Sequence, residues 1–355
     1  MTKPILAAIL SCQGYELTEQ EKYLFSKFNP LGVTLFSRNL KDKNQIKCLI
    51  ESIKNVINRD DVLIAIDEEG GRVSRLRDIN NHNYISAQNL AMLSTEYTNM
   101  QAKLIASDLI ELGINVNYSP VVDKKITSKY VNVLDNRCFS DDENKIVEYA
   151  SNMIDTYINM GVCPCVKHIP GHFNIAIDPH LYKIECDLNE KEIKQQIKYL
   201  QKFSKTPMAM TSHVVLKSLD DKYPVTLSQK IISNLIRGYL DYKGFLISDA
   251  IDMHAITGAV TDKINQCLDA GVDAICYCSG KYEDLHDISN QKRFMTEKSL
   301  IRFANIKKVI NNKREDADIE DIRKLYDVGT KKFANEIYSY DATEVLHHMQ
   351  QKGDF

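Results

Sequence analysis

The feature that most constrains the fold is a regular alternation of short apolar runs with longer segments of helical periodicity. Such alternation is typical of repeated βα units built around a parallel sheet. Strands are predicted at residues 5–10, 32–36, 62–66, 115–121, 162–166, 208–213, 244–247 and 274–277. Helices are predicted between them, at residues 42–57, 87–112, 142–160, 190–203, 228–240 and 262–270.

Eight strands with intervening helices predict a (β/α)8 TIM barrel, although a strand count alone leaves an open doubly wound sheet as an alternative. The barrel is favoured because the motifs DEEGG, KHIPGH and SD follow predicted strands, where they would converge on one rim. The 355 residues exceed the ~250 that a TIM barrel typically needs. We therefore predict an α/β fold with a single barrel domain over residues 1–312. Residues 313–355 are predicted to form a charged linker and C-terminal helices packed on the barrel.

Composition narrows the classes of partner. A net charge of only -3, without a basic run interleaved with aromatics, argues against nucleic-acid binding and favours a small-molecule partner. The sequence contains no apolar run of the ~18 residues that a membrane span requires. Nine cysteines, an odd number without a CxxC pair, predict reduced thiols and a cytoplasmic protein. A monomer is the working expectation.

The stretch VKHIPGHFNIAIDPH, at residues 166–180, places ionisable side chains in a loop rich in Gly and Pro. The acceptable metal ligands in it are His168, His172, Asp178 and His180. Pro and Gly lie between the first two histidines, so their spacing of four does not fall on a helix and metal binding is disfavoured. Asp178 and His180 suit proton transfer, because a carboxylate can orient one imidazole nitrogen and leave the other for a substrate. Two ordinary surface residues are the other interpretation of so short a pattern.

Two further predicted strand ends carry acidic residues. In LISDAIDM, Asp249 would face the barrel mouth as a metal ligand, a base or a covalent nucleophile, or would cap the next helix. Asp252, three residues later, is predicted to be a helix cap. In LIAIDEEGGRVSRL, an apolar strand delivers Asp67 to the rim, a double glycine permits a tight turn, and Arg75 follows. Asp67 and Arg75 are polar anchors suited to ligand hydroxyl groups, and the motif lacks the GxGxxG phosphate pattern.

These segments occur in an order that resembles the bacterial β-N-acetylhexosaminidases of glycoside hydrolase family 3. Those are cytosolic enzymes that remove N-acetylglucosamine from cell-wall turnover fragments. The resemblance rests on the motifs GYEL, GVTLFSRN, IDEEGGRVSRL, NYSPVVD, NRCFSDD, VKHIPGH, DPH, PVTLS and KGFLISDAIDM, which extend over roughly residues 4–280. Several long motifs in one order are far more specific than any one of them.

The resemblance implies a role for each matching residue. Asp249 matches the family nucleophile, which forms a covalent glycosyl-enzyme, while His180 matches the general acid/base and Asp178 its orienting partner. The residues that hold the N-acetylglucosamine unit are matched by Asp67, Arg75, Arg137, Lys167 and His168. The resemblance thus implies a retaining exo-β-N-acetylglucosaminidase that cleaves GlcNAc-1,6-anhydroMurNAc peptides from peptidoglycan recycling, with no cofactor and no metal ion.

The chain departs from the family pattern at two loop positions. The family commonly reads PGHG and DSH, whereas this chain has Phe173 and Pro179 in those motifs. Because proline fixes φ and removes a hydrogen-bond donor, Pro179 stiffens a loop that the resemblance implies is mobile. We expect this to alter the rate of the reaction rather than its nature.

Three alternative functions stay open at the level of the sequence. A phosphorylase of the same family would transfer the sugar to phosphate instead of water. A non-catalytic homologue would bind the sugar without cleaving it. A metal-dependent barrel hydrolase would use the histidine-rich stretch as a ligand set.

Overall fold

The structure, a computed structural model, describes residues 3–80, 82–125, 134–173, 184–312 and 318–333. Eight parallel strands close into a barrel. The barrel strands are β1 (Leu6–Ser11), β2 (Pro30–Leu35), β3 (Leu63–Ile66), β6 (Val116–Asn117), β7 (Cys163–Ile169), β9 (Met208–Thr211), β11 (Phe245–Ala250) and β12 (Ala274–Cys276). Around the barrel they follow the order β1-β12-β11-β9-β7-β6-β3-β2. The barrel prediction is confirmed, and the open-sheet alternative is wrong.

Four short strands lie outside the barrel. They are β4 (Glu68–Gly70), β5 (Val73–Ser74), β8 (Ile184–Cys186) and β10 (Val214–Leu216). β4 and β5 pair antiparallel as a hairpin directly after β3, and β8 pairs parallel with β10. These short strands lie at the carboxyl end of the barrel, because β4 and β5 follow β3 in the chain and β10 follows β9.

Helices cover the outside of the barrel. They are α1 (Glu19–Phe28), α2 (Lys43–Ile57), α3 (Arg77–Asn80), α4 (Ala87–Leu90), α5 (Thr95–Leu112), α6 (Glu143–Met160), α7 (Glu190–Ile197), α8 (Gln229–Ile231), α9 (Val260–Ala270), α10 (Tyr282–Asn290), α11 (Glu297–Ile310) and α12 (Ile319–Thr330). Their starts follow ordinary capping chemistry: Thr18 and Glu21 form a capping box on α1, and Asp42 caps α2. Left-handed residues, such as Gly113 after α5 and Gly161 after α6, end the long helices.

Two layers of apolar side chains form the core. One lies between strands and helices, and the other fills the barrel, where Met208, Phe245 and Cys163 are fully buried. Phe303 and Ile306 of α11 join the interior layer. A filled barrel interior means that ligands have access only at the rims, as in other TIM barrels.

The predicted helices needed local revision. The segment predicted as one helix over residues 87–112 is divided into α4 and α5, because Ser94 adopts extended backbone before α5 begins. The helix predicted at 228–240 starts as α8 and continues in π-helical geometry over Ile232–Tyr239. Boundary errors of this kind leave the strand order intact, since the apolar pattern of each strand is unaffected.

The C-terminal part of the chain is described in part. α12 packs against α5, and Tyr326 of α12 is buried, its hydroxyl accepting a hydrogen bond from the backbone N–H of Ile85 at 3.1 Å. The division of the chain at residue 312 stays a prediction, because residues 313–317 and 334–355 lie outside the described residues. Among the helices that the structure describes, none is long and apolar enough to cross a membrane.

Candidate active site

A buried chain of alternating charges lies at the carboxyl rim. Lys167, near the end of β7, places its Nζ 2.5 Å from Asp67 Oδ1 and 2.6 Å from Glu69 Oε1. Arg137 binds the same Glu69 with two hydrogen bonds, Nε to Oε2 at 2.9 Å and Nη2 to Oε1 at 2.8 Å. β3, β4, β7 and a short 3-10 turn therefore converge on one connected set of ionic side chains.

Opposite charges keep Glu69 and Lys167 ionised despite their burial. Burial by itself would raise the pKa of Glu69, but Arg137 and Lys167 outweigh it and lower that pKa to about 2. Burial likewise opposes the charge on Lys167, yet the carboxylates of Asp67 and Glu69 hold its pKa above the ordinary lysine value. The ammonium group of Lys167 and the carboxylate of Asp67 thus lie side by side at the barrel mouth. The Asp67 side chain is 18% exposed, whereas that of Lys167 is 3% exposed.

A second network is centred on Asp123, which the structure buries almost completely. Its Oδ2 accepts from the backbone N–H of His168 at 3.0 Å and lies 2.7 Å from the Nδ1 of that ring. Its Oδ1 does the same for His172, at 2.9 Å from the backbone nitrogen and 3.1 Å from Nδ1. Burial opposes ionisation of Asp123, but the two imidazoles and their hydrogen bonds hold its pKa well below the usual value. Both histidines are therefore fixed by one carboxylate.

This network fixes the orientation and the tautomer of the His168 ring. Burial, followed by the neighbouring His172, lowers the pKa of His168, so its ring is neutral near pH 7. Asp123 accepts at Nδ1, which places the proton there and leaves the Nε2 lone pair as an acceptor. Nε2 lies 3.8 Å from Asp249 Oδ2, near the carboxyl end of β11. A hydroxyl group of a ligand could donate to this nitrogen.

Asp123, His168 and His172 also have the composition of a metal-binding group, with ligand-type atoms within 4.8 Å of one another. Their arrangement fits a hydrogen-bonded network better, because both Nδ1 atoms and both backbone N–H groups already address the two carboxylate oxygens. The same contacts account for both histidines without an ion.

Asp249 lies near the carboxyl end of β11 and is 18% exposed. Its Oδ1 accepts from the backbone N–H of Ala250 at 2.7 Å, which fixes the carboxylate next to its own strand. The helix-cap alternative for this residue is wrong, because the next helix, α9, begins only at Val260. The predicted cap role of Asp252 is wrong for the same reason: its oxygens accept from the backbone N–H groups of Cys278 and Ser279, at 3.2 and 2.7 Å.

Arg75 follows the β4–β5 hairpin. Gly70 and Gly71 form its turn with φ values of +85° and +63°, and a Cβ atom on Gly70 would lie 2.6 Å from the carbonyl oxygen of Ile85. The tight turn predicted from the double glycine is confirmed. The Arg75 guanidinium lies 5.7 Å from the centre of the Phe36 ring, at the end of β2, and Arg75 is 5% exposed.

The structure places the six predicted site residues that it describes at the carboxyl end of the barrel, at strand ends or in the loops that follow them. They are Asp67, Arg75, Arg137, Lys167, His168 and Asp249. Asp178 and His180 lie outside the described residues, as does Pro179. Their assignment as an acid/base pair stays a prediction.

Sequence reasoning missed two residues that organise this site. Glu69 joins Lys167 to Arg137, and Asp123 orients both histidines of KHIPGH. Each lies inside a motif, DEEGG or NYSPVVD, and the available signal was a carboxylate at a strand end. Such a signal does not reveal the partner, because both pairings join segments far apart in the chain.

The arrangement suits recognition of a polar, uncharged ligand. Cations, carboxylates and a neutral imidazole line a rim on which only two of these carboxylates, Asp67 and Asp249, are partly open, each 18% exposed. Alternating donors and acceptors of this kind match the hydroxyl groups of a sugar. A carboxylate at a strand end can also attack an electrophilic carbon.

Comparisons with known proteins agree with this geometry. Residues 8–312 match the glycosyl hydrolase family 3 N terminal domain. A β-hexosaminidase of Tolumonas auensis is 30% identical over 283 residues, which cover 77% of this chain and 83% of that protein. A β-hexosaminidase of Haemophilus influenzae is 27% identical over 319 residues, covering 85% of this chain and 90% of the relative.

Solved structures share the fold. NagZ from Neisseria gonorrhoeae, in complex with N-trifluoroacetyl-D-glucosamine, superposes with a TM-score of 0.78 at 21% identity, covering 94% of this chain and 99% of that one. A family 3 β-N-acetylglucosaminidase from Paenibacillus also gives a TM-score of 0.78 at 23% identity, covering 92% of this chain and 67% of that one. At these identities the likeness shows a common architecture.

Proposed function

Because this chain belongs to glycosyl hydrolase family 3, we propose that it is a retaining exo-β-N-acetylglucosaminidase acting on peptidoglycan turnover fragments. It is a glycoside hydrolase, as its β-hexosaminidase relatives are. The observation that carries the proposal is the position of Asp249. This partly open carboxylate lies near the end of β11, with His168 Nε2 3.8 Å away.

The proposed reaction is a double displacement. Asp249 attacks the anomeric carbon and forms a covalent glycosyl-enzyme while the leaving oxygen receives a proton. Water then attacks the same carbon and releases the sugar with the stereochemistry of the substrate. In the first step His180, oriented by Asp178, gives the proton, and in the second it takes one from water.

The binding groups have complementary roles. Asp67 and Lys167, joined at 2.5 Å, offer an acceptor and a donor to neighbouring hydroxyl groups of N-acetylglucosamine. The neutral His168 accepts from a further hydroxyl through Nε2, and Arg75 and Arg137 complete the rim. Because Glu69 already holds Lys167 and Arg137, and Asp123 holds His168, these three groups need little ordering when the sugar binds.

Turnover of a chromogenic β-N-acetylglucosaminide tests the proposal. Wild-type protein should release the chromophore near neutral pH, and Asp249→Ala should lower kcat roughly 10³-fold or more, because the nucleophile is lost. Asp252→Asn is the matched control: it changes a nearby rim carboxylate that binds backbone N–H groups, and it should retain activity. Undiminished turnover by Asp249→Ala would remove the proposal.

Two product measurements define the reaction. In phosphate buffer the GlcNAc-1,6-anhydroMurNAc substrate should yield free N-acetylglucosamine, whereas accumulation of sugar 1-phosphate would assign a phosphorylase. A 2-fluoro glycoside should trap a covalent adduct, and mass spectrometry of peptides should locate it on Asp249. An adduct on another residue would overturn the assignment of the nucleophile.

A further inference from the structure

Glu68 is a fully buried carboxyl group between two residues with other roles, Asp67 and Glu69. Its side chain makes no ion pair among those found in the described part of the chain, and its neighbours are hydrogen-bond donors. Ser74 donates through its hydroxyl to Oε1, and the backbone N–H of Leu76 donates to Oε2 at 2.9 Å. Glu68 thus reaches across the β4–β5 hairpin to Ser74 and Leu76, the two residues that flank Arg75.

The backbone of Glu68 is itself anchored to the barrel. Asn117, in the adjacent region of β6, accepts from the Glu68 N–H at 3.0 Å and donates to its carbonyl oxygen at 2.8 Å. The same Asn117 amide also donates to Tyr157 of α6 at 3.1 Å. A continuous set of hydrogen bonds therefore runs from a barrel strand through Glu68 to the peptide that carries Arg75.

Arg75 needs such support, because it follows the short hairpin strand β5 and not a barrel strand. The turn at Gly70 and Gly71 has positive φ at both residues, and glycine gives the chain freedom that a strand does not have. Side chains in a binding site must be held within a fraction of an ångström of the productive geometry. The hydrogen bonds from Ser74 and Leu76 to Glu68 supply this restraint beyond the turn.

We infer that Glu68 is a positioning residue for the sugar site, which holds the Ser74–Leu76 segment so that the Arg75 guanidinium stays at the rim. The inference rests on the proposed function, in which Arg75 contacts the N-acetylglucosamine unit. Glu68 itself is fully buried, so it acts through Arg75 and not by direct contact with the sugar.

The hydrogen-bonding pattern, rather than the charge, carries this role. Burial raises the pKa of Glu68 to about 7, against the effect of its Ser74 and backbone donors. When the carboxyl group is protonated, the hydroxyl of Ser74 can rotate and accept, because a serine oxygen serves as donor or acceptor. A glutamine can make the same set, with its oxygen accepting from Leu76 and its amide donating to Ser74.

A double-mutant cycle between Glu68 and Arg75 tests the inference. Glu68→Ala should raise KM for the chromogenic substrate roughly tenfold with a smaller change in kcat, while Glu68→Gln should stay within about twofold of wild type. In the Arg75→Ala background, Glu68→Ala should have no further effect on KM, because the residue that it positions is absent. Multiplicative effects, or an unchanged KM in Glu68→Ala, would overturn the inference.

Glu21 provides a matched control. It is also a buried carboxylate that accepts from three donors, the backbone N–H groups of Gln13 and Thr18 and the Thr18 hydroxyl, at 2.8, 2.8 and 2.9 Å. Glu21→Ala should lower the thermal unfolding temperature and leave KM unchanged. If Glu21→Ala raises KM as much as Glu68→Ala does, the effect of Glu68 is general destabilisation and the inference fails.

Calorimetric binding of N-acetylglucosamine repeats the cycle without turnover. A wild-type protein that binds the sugar but does not cleave the substrate would contradict the proposed reaction, and the cycle on Kd would still decide whether Glu68 acts through Arg75. A wild-type protein that neither binds nor cleaves would remove the proposed function and this inference with it.

Discussion

The two ends of the barrel both bury ionic networks, but they use them differently. At the amino end, Asp273 precedes β12 and accepts from Arg237 at 2.8 Å, Arg302 at 2.7 Å and Ser299 at 2.8 Å. It also accepts from the backbone N–H of Leu246 at 2.9 Å. The Asp273 side chain is only 2% exposed. Each of its carboxylate oxygens accepts two of these four hydrogen bonds.

At the carboxyl end, some members of the ionic networks are partly exposed to solvent. Asp67 and Asp249 are each 18% exposed, whereas Glu69 and Asp123 behind them are buried. The buried members hold the open ones in place. The difference teaches that a closed network stabilises the fold, while a network with open members keeps polar groups available for a ligand.

The largest effect on stability is expected at the closed end. Asp273→Ala leaves Arg237 and Arg302 without their shared carboxylate, and this should lower the free energy of unfolding by about 3 kcal/mol. Urea denaturation measures the change. KM and kcat of the folded enzyme should be unaffected, and a change in KM beyond about twofold would mean that the two ends are coupled.

At the carboxyl end, substitution of the buried Lys167 is expected to have a large effect on catalysis. Lys167→Met removes a sugar-binding donor and leaves Asp67 and Glu69 with less compensating charge, so kcat/KM should fall roughly 10²-fold. Steady-state kinetics with the chromogenic substrate measures the loss.

Lys217 is the matched control for this substitution. It also pairs with two carboxylates, Glu185 at 2.8 Å and Asp187 at 3.0 Å, but its side chain is 40% exposed. Lys217→Met should leave kcat/KM within about twofold, because exposed ion pairs contribute little. Equal losses for the two lysines would contradict the division between open and structural charges.

The pH dependence of stability separates Glu68 from Glu69. The pKa of Glu68 is raised to about 7, above that of an unfolded chain, so folding binds a proton between these values. The stability of wild type relative to Glu68→Gln should therefore fall as pH rises from about 4.5 to 7. For Glu69, whose pKa is lowered to about 2, the contribution is present above pH ~4.5 and is lost as pH falls towards 2.

Thermal unfolding of wild type, Glu68→Gln and Glu69→Gln across pH 3 to 8 measures both slopes. Parallel curves for wild type and Glu68→Gln between pH 4.5 and 7 would show that Glu68 keeps an ordinary pKa. The two pKa values differ because the neighbours differ. Glu69 binds two cations, whereas Glu68 accepts hydrogen bonds from a hydroxyl and a backbone N–H group.

Much of the fold was predictable because each strand has its own apolar pattern. All eight barrel strands were predicted near their observed positions, since runs such as Leu63–Ile66 are buried on both faces and read as continuous apolar segments. Helix ends were less predictable. The division between α4 and α5 depends on a local backbone change at Ser94, and periodicity does not register a change of that kind.

The site was predictable only as a set of strand ends. Asp67, Lys167 and Asp249 could be placed on one rim because strand ends of a barrel converge. The pairing of Glu69 with Arg137, 68 residues apart, and of Asp123 with His168, 45 residues apart, could not be read from either segment alone.

The sequence by itself determined the eight strands, the family motifs and the residue types at the strand ends, because apolar periodicity and motif order are properties of the chain. Only the tertiary structure decided which carboxylates are closed and which are open. Ionisation and orientation depend on neighbours within a few ångströms, and these come from distant segments. Glu68 and Glu69 are adjacent in sequence, yet their surroundings move their pKa values in opposite directions, to about 7 and about 2.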